Sequence, residues 1–321
     1  MKLANEIIAG RRLGRKDDLS FFETTPVDEL CEGANHIRES LCGNHIDLCT
    51  IINGRAGRCS ENCKFCAQSA HHNTACNEYE MLTPREFLHD CLAKDAAKVH
   101  AYSIVTAGRT VEGDDFDTLL ESYRLMHQHT NMRLCASHGL LEQDDFFALK
   151  DAGVSMYHAN IETSRRFFPE ICTTHTFDDK LTEIARAKAA GLEVCSGGII
   201  GMGETFDDRV DMALTLAELE IMSIPINVLM PVPGTPLGHN KPLTNEEVLR
   251  TIALFRYVNP TAYIRMAAGR SYFENGGRKL FLSGVNATIT GDMLTTVGNN
   301  MSQDRDMLLE MGFDIERKQN Q

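Results

Sequence analysis

No stretch of the 321-residue chain approaches the ~20 consecutive apolar residues that a membrane helix needs, which excludes a helical bilayer span. The opening residues, Met1-Lys2-Leu3-Ala4-Asn5-Glu6, lack the apolar centre of a secretory signal, so the expected location is cytoplasmic. Basic charge is short as well: 32 Lys and Arg stand against 45 Asp and Glu, a formal net charge of −13. Phosphate backbones call for a basic surface, so neither nucleic acid nor membrane is an expected partner. Repeats and low-complexity segments are missing. What is present is 43% hydrophobic, enough for a sizeable core in one large domain. There are also eleven cysteines. Disulfides are rare in the cytosol, so these are expected to be reduced thiols or metal ligands.

Short β-branched runs alternate with amphipathic helical stretches from about residue 46 to about residue 300. Strands are expected at Ile46–Asn53, Val99–Ala107, Met132–Ser137, Ser155–Glu162, Leu192–Gly201, Ile224–Met230, Ala262–Ala268 and Asn286–Thr290. Helices are expected at Pro84–Lys98, Phe116–Thr130, Asp144–Gly153, Asp178–Gly191, Asp207–Glu220 and Asn245–Val258. Several open on Asp or Asn, and two close on Gly. Eight strands separated by helices fit an α/β (β/α)8 TIM-type barrel over residues 46–321 with a C-terminal helical tail, and residues 1–45 read as a helical extension. A doubly wound sheet is the other arrangement this pattern allows.

Cys59, Cys63 and Cys66 stand in a C-x3-C-x2-C run just past the first expected strand. Three such thiols can hold three irons of a 4Fe-4S cube and leave the fourth iron open to chelation by S-adenosylmethionine (SAM). Two other readings compete. A C-x2-C pair is half of a structural zinc site, and His71 or His72 is close enough to complete one; a thioredoxin-like redox pair also has this spacing. Against them, a redox pair has no use for a third thiol upstream, and zinc knuckles seldom carry an aromatic such as Phe65 before the last ligand.

Further segments carry a resemblance over nearly the whole length: Gly57-Arg58-Cys59-Ser60-Glu61-Asn62-Cys63, Asn160-Ile161-Glu162-Thr163, Val194-Cys195-Ser196-Gly197-Gly198, Ile224-Pro225-Ile226-Asn227 and Tyr263-Ile264-Arg265-Met266. Together they resemble the biotin synthases, radical SAM enzymes that insert sulfur into dethiobiotin. The resemblance implies an auxiliary iron-sulfur cluster as the sulfur source, 2Fe-2S in the family, held by three strand cysteines and an arginine. Cys135, Cys195 and Arg265 match three of those ligands, and Cys195 and Arg265 are accordingly expected at the reacting centre. The fourth position is Ser103, and a serine does not replace a thiolate as a soft ligand for iron. Cys49, mid-strand on the neighbouring first strand, is the expected substitute, which leaves the nuclearity of the cluster open.

By the same resemblance Phe65, Asn160, Glu162, Ile200 and Met202 are expected around SAM, and Asn160, Asn227 and His158 around dethiobiotin. His158 stands where the family commonly has Asn. A reduced flavodoxin or ferredoxin as electron donor, and a homodimer, are family expectations. The alternative function is a biotin-synthase-like enzyme acting on another small molecule, such as a metallocofactor maturase. Cys31, Cys42, Cys76, Cys91 and Cys172 are left without a role.

Overall fold

The computed structural model describes residues 1–291, 294 and 300–317; the end of the expected C-terminal tail, 318–321, lies outside these described residues. Nine parallel strand segments form one sheet: β1 (Asp47–Arg55), β2 (Ala101–Thr106), β3 (Arg133–Ser137), β4 (Met156–His158), β5 (Glu193–Cys195), β6 (Gly198–Ile200), β7 (Ser223–Val228), β8 (Tyr263–Met266) and β9 (Ala287–Ile289). Their order is β5-β4-β3-β2-β1-β9-β8-β7-β6, and a further pairing of β5 with β7 closes the ring. Segments β5 and β6 occupy one barrel position, because Cys195 faces Ser223 and Gly198 faces Ile226 at the same offset along β7. The structure is therefore the expected eight-position barrel.

The single strand expected over Leu192–Gly201 is interrupted at Ser196-Gly197 for a steric and a polar reason. A Cβ on Gly197 would stand 1.9 Å from the Pro225 carbonyl oxygen. Its N–H is donated to the Asn160 side chain at 3.1 Å instead of to a neighbouring strand. Backbone and side chain thus meet where a ladder bond would otherwise run.

Helices Pro84–Ala96, Gly113–His129, Gln143–Asp151, Phe177–Ala189, Phe206–Glu218 and Asn245–Val258 fill the expected places between strands. Their starts are set by threonines one or two residues ahead of the expected Asp, Asn or Pro. Thr83, Thr176, Thr205 and Thr244 each accept the N–H of an acidic residue three positions on, whose carboxylate returns to the cap. This reciprocal box satisfies two orphan donors at once, so the cap falls on Thr and the following Asp or Asn sits inside the first turn. Gly153 and Gly191 do close their helices, with φ of 101° and 75°.

The N-terminal helices Phe21–Thr24 and Val27–Cys42 pack outside the barrel on Asn245–Val258, with Phe22 edge-on to Tyr257 at 5.3 Å, and Lys2–Ile8 packs on Val27–Cys42. At the N-terminal end of the strands, the segment after the last helix (Met301–Glu310) returns across the barrel floor. There Asp314 exchanges backbone bonds with Asn44 and Ile46, and His100 Nε2 meets the Ile315 carbonyl at 3.0 Å.

Candidate active site

The loop after β1 carries Cys59, Cys63 and Cys66 on a frame of local bonds. Cys59 N–H donates to the Gln68 carbonyl at 3.0 Å, Ala70 N–H returns to the Cys59 carbonyl at 2.8 Å, and Cys66 N–H donates to the Cys63 carbonyl at 3.0 Å. The three thiols are half-buried and unpaired by any disulfide. His71 and His72, the alternative zinc ligands, turn ring nitrogens to the carbonyls of Ser60 and Cys63, each at 3.0 Å. Each ring thus spends one nitrogen on orienting the loop.

Beside this loop, at the C-terminal ends of the strands, is a cavity of about 220 Å³ whose lining includes Phe65, Cys66, Ile199 and Asn227. The end of such a barrel is where ligands are processed. Ile199 and Asn227 are register partners on β6 and β7. Ile200 and Met202 are buried in the main core, and it is Ile199, on the other face of β6, that lines this cavity. Asn227 is not an idle amide: its Nδ2 donates to the Gly198 carbonyl at 3.3 Å and its Oδ1 accepts from Ala268 N–H at 3.2 Å. One N–H and one lone pair remain for a ligand.

Glu162 has the left-handed φ of 66°, held by bonds from its N–H to the Gly197 carbonyl at 3.1 Å and to its carbonyl from Ile199 N–H at 2.8 Å. Gly198 permits this approach, since a Cβ there would lie 2.3 Å from the Glu162 carbonyl oxygen. Burial pushes the Glu162 carboxyl up to about 7, against the nearby Lys180 and His175, and its Oε2 has no partner among the described residues. A buried acceptor without a donor is costly, so a ligand diol suits it. Asn160 holds Gly197 and leans on Glu162, which makes it a support of that carboxylate.

Lower in the barrel, Cys49, Cys135 and Cys195 come together with Ala101 and Met156 in a small buried cluster separate from the main core. Cys49 pairs with Ala101 across β1 and β2, and Ser103, two residues further up β2, pairs with Cys135. Burial pushes all three thiols up, Cys49 to about 11, so these surroundings disfavour bare thiolates and a thiophilic metal is what would stabilise them. The pocket also holds polar atoms with no described partner: Ser103 Oγ, His158 Nε2 and Arg265 Nε. This donor set fits an iron-sulfur cluster, whose sulfides would accept from the orphaned N–H and O–H groups. His158, facing Cys195 in register, is held as the neutral imidazole by burial and by the Arg265 and Arg133 charges, which push it down to about 3.

Three groups here had no signal in the sequence. Asp47 accepts from Arg265 at 2.5 Å and from Arg133 at 2.8 Å beneath the thiol pocket. Glu204 clamps the loop after β6, accepting from the N–H groups of Gly201 and Met202 and from Arg209, each at 2.8 Å. Cys172, distant in sequence, approaches Cys63 to 3.7 Å. Cys42, by contrast, lies on the outer helix layer against Arg256 and Pro260.

A ring of parallel strands with a three-cysteine loop at its C-terminal mouth is the architecture of the radical SAM superfamily, and residues 55–216 match that family; residues 225–314 match the Biotin and Thiamin Synthesis associated domain. Biotin synthase of Clostridium beijerinckii is 62% identical over 98% of this chain and 99% of its own, and that of Alkaliphilus metalliredigens is 57% identical over the same shares. The chain belongs to the biotin synthase family. Among solved structures, methylornithine synthase superimposes with a TM-score of 0.85 over 98% of this chain and 97% of its own, at 18% identity. A maturase of the FeFe-hydrogenase gives 0.79 over 97% and 74%, at 15% identity. Likeness at those identities shows the fold alone.

Proposed function

We propose that this chain makes biotin from dethiobiotin by SAM-dependent sulfur insertion. The single observation that carries the reading is the gathering of Cys49, Cys135 and Cys195 into one dry pocket beneath the SAM face, with Arg265 at its floor. An enzyme of this superfamily needs only the three loop cysteines to generate a radical; a second thiol set inside the barrel is what sulfur transfer adds.

The residues divide by level. Cys59, Cys63 and Cys66 would hold the 4Fe-4S cluster, which supplies the electron that cleaves SAM to a 5′-deoxyadenosyl radical. Phe65 and Ile199 offer apolar walls to the adenine, and Glu162, oriented by Asn160, offers an acceptor to the ribose diol. Asn227 presents its remaining donor and acceptor to the ureido ring of dethiobiotin, with the neutral His158 below it as a hydrogen-bonding neighbour. Cys49, Cys135 and Cys195 would hold the auxiliary cluster, whose sulfur is the second substrate. Cys195 is oriented by the Ser223 hydroxyl, which donates at 3.2 Å. Arg265 keeps its terminal nitrogens on Asp47 and the Thr288 carbonyl, which leaves Nε toward the cluster as a charged donor. The apolar cavity walls exclude water from a radical that would otherwise be quenched.

The electron donor in this reading is a reduced flavodoxin or ferredoxin, and the working unit is a cytoplasmic homodimer. The deciding experiment is anaerobic incubation of reconstituted protein with SAM, a reductant and dethiobiotin, followed by mass spectrometry. Biotin is expected together with 5′-deoxyadenosine; deoxyadenosine without biotin would move the substrate elsewhere.

A further inference from the structure

Cys172 follows the short helix Phe168–Ile171 and is left over by the biotin-forming machinery. Its Sγ lies 3.7 Å from Cys63 Sγ and 3.3 Å from His175 Nδ1. His175 Nδ1 also meets the Glu61 carboxylate, which accepts from Thr174 Oγ1 at 2.8 Å. Cys172 and Glu61 are only 4% and 7% exposed, and the ligand atoms of Cys63, Cys172 and His175 all lie within 4.8 Å of one another.

Those separations are the ones that a single tetrahedral ion imposes. With metal–sulfur bonds of about 2.3 Å and metal–nitrogen bonds of about 2.0 Å, two thiolates on one ion stand about 3.8 Å apart, and a thiolate and an imidazole about 3.5 Å. Two thiolates and one imidazole, with water in the fourth position, are also donors that zinc and ferrous iron accept. The other grouping of this kind, His45, Asp47 and His100, is unsuited to a cation because Asp47 already carries the charges of Arg133 and Arg265.

We propose that in the cluster-free chain Cys63, Cys172 and His175 bind one divalent transition-metal ion, with its fourth position left to water. Binding releases two thiol protons to solvent and moves no electron. The ion ties residues 172–175 to the cluster loop and shields Cys63 from oxidation before a cluster is assembled. Because Cys63 serves both sites, this ion and the 4Fe-4S cluster exclude each other; the exclusion rests on the cluster reading of Cys63, whereas the binding does not.

The test is titration of the full-length, cluster-free chain with Co²⁺ under anaerobic conditions, followed by displacement with Zn²⁺. One ion that Cys172→Ala removes is expected, beside any ion taken by Cys49, Cys135 and Cys195, with thiolate-to-cobalt charge transfer and the intense visible bands of tetrahedral Co²⁺. Cys172→Ala and His175→Gln are each expected to weaken binding by at least the 10–100-fold that even outer-shell losses cost. Cys59→Ala is expected to leave it unchanged. Circular dichroism and reconstitution of the loop 4Fe-4S cluster in Cys172→Ala are the check that this variant folds. Unchanged Co²⁺ affinity in both Cys172→Ala and His175→Gln, loss of binding in Cys59→Ala, or octahedral spectra without charge transfer would each overturn the site. A chain that holds its 4Fe-4S cluster and Co²⁺ together would overturn the exclusion and with it the role of Cys63 as a cluster ligand, while leaving the ion site standing.

Discussion

Arg265 on β8 and Asp47 on β1 form an ion pair of 2.5 Å that spans β9 at the floor of the barrel, with both side chains almost wholly buried. Arg133 from β3 shares the same carboxylate oxygen at 2.8 Å. Two guanidinium groups are thereby held under the thiol pocket by a single acid.

Asp47→Asn would leave two buried cations short of their counter-charge. The expected loss of stability is about 3–5 kcal/mol, the usual cost of breaking a buried pair from one side, measured by urea unfolding at pH 7. The pH dependence follows from the direction of the shift. Burial alone would raise this carboxyl, but the Arg265 charge, a His100 hydrogen bond and the Arg133 charge hold it well below the usual range. An acid depressed in the folded state contributes stability that is present above its unfolded value, about 3.9, and is lost as pH falls through the folded one. Wild-type stability from this pair is therefore flat between pH 5 and 8.

Cys49→Ser is expected to abolish auxiliary iron and sulfide while leaving the loop cluster and SAM cleavage in place. Restoring a thiol two residues up the adjacent strand, in Cys49→Ser with Ser103→Cys, is expected to recover part of that iron, because Ser103 faces Cys135 directly. Iron and sulfide counts per chain decide it, and unchanged counts in the single variant would remove Cys49 from the ligand set.

SAM binding by the cluster-loaded chain is expected to tighten as pH rises through about 7, where the Glu162 carboxyl ionises. Glu162→Gln should bind more weakly at pH 8 and lose that part of the pH dependence. Binding isotherms at pH 6 and pH 8 compare the two, and parallel pH curves would take Glu162 away from the ribose.

Gly198→Ala drives a Cβ to 2.3 Å from the Glu162 carbonyl and 2.5 Å from Met212 Sδ. The expected cost is at or above about 3 kcal/mol, the upper end of ordinary overpacking. Gly191→Ala, whose Cβ would meet open space, pays only for its left-handed φ. Thermal unfolding should rank Gly198→Ala below Gly191→Ala.

Much of the barrel was readable because its signals are local. Each strand and helix announced itself within a dozen residues by apolar period, and the cysteine run needs only its own loop. The errors were also local: Thr83, Thr176, Thr205 and Thr244 act with a carboxylate three residues on, so inspection that seeks Asp or Asn places the cap too late. Ile199 rather than Ile200 lines the cavity, and alternation gives a strand two faces without saying which is inside until the register with Asn227 is known.

By itself the sequence determined the (β/α)8 order, the three-cysteine loop and, through its kinship, the class of chemistry, since these reside in residue types and short spacings. Cys49 was legible as well, as the thiol on the strand beside Ser103, but only the tertiary structure decided that Asp47 binds two arginines from other strands and that Cys172 reaches Cys63. Those contacts join residues 86 to 218 positions apart, and no local pattern encodes which side chains ring closure will bring to the same level.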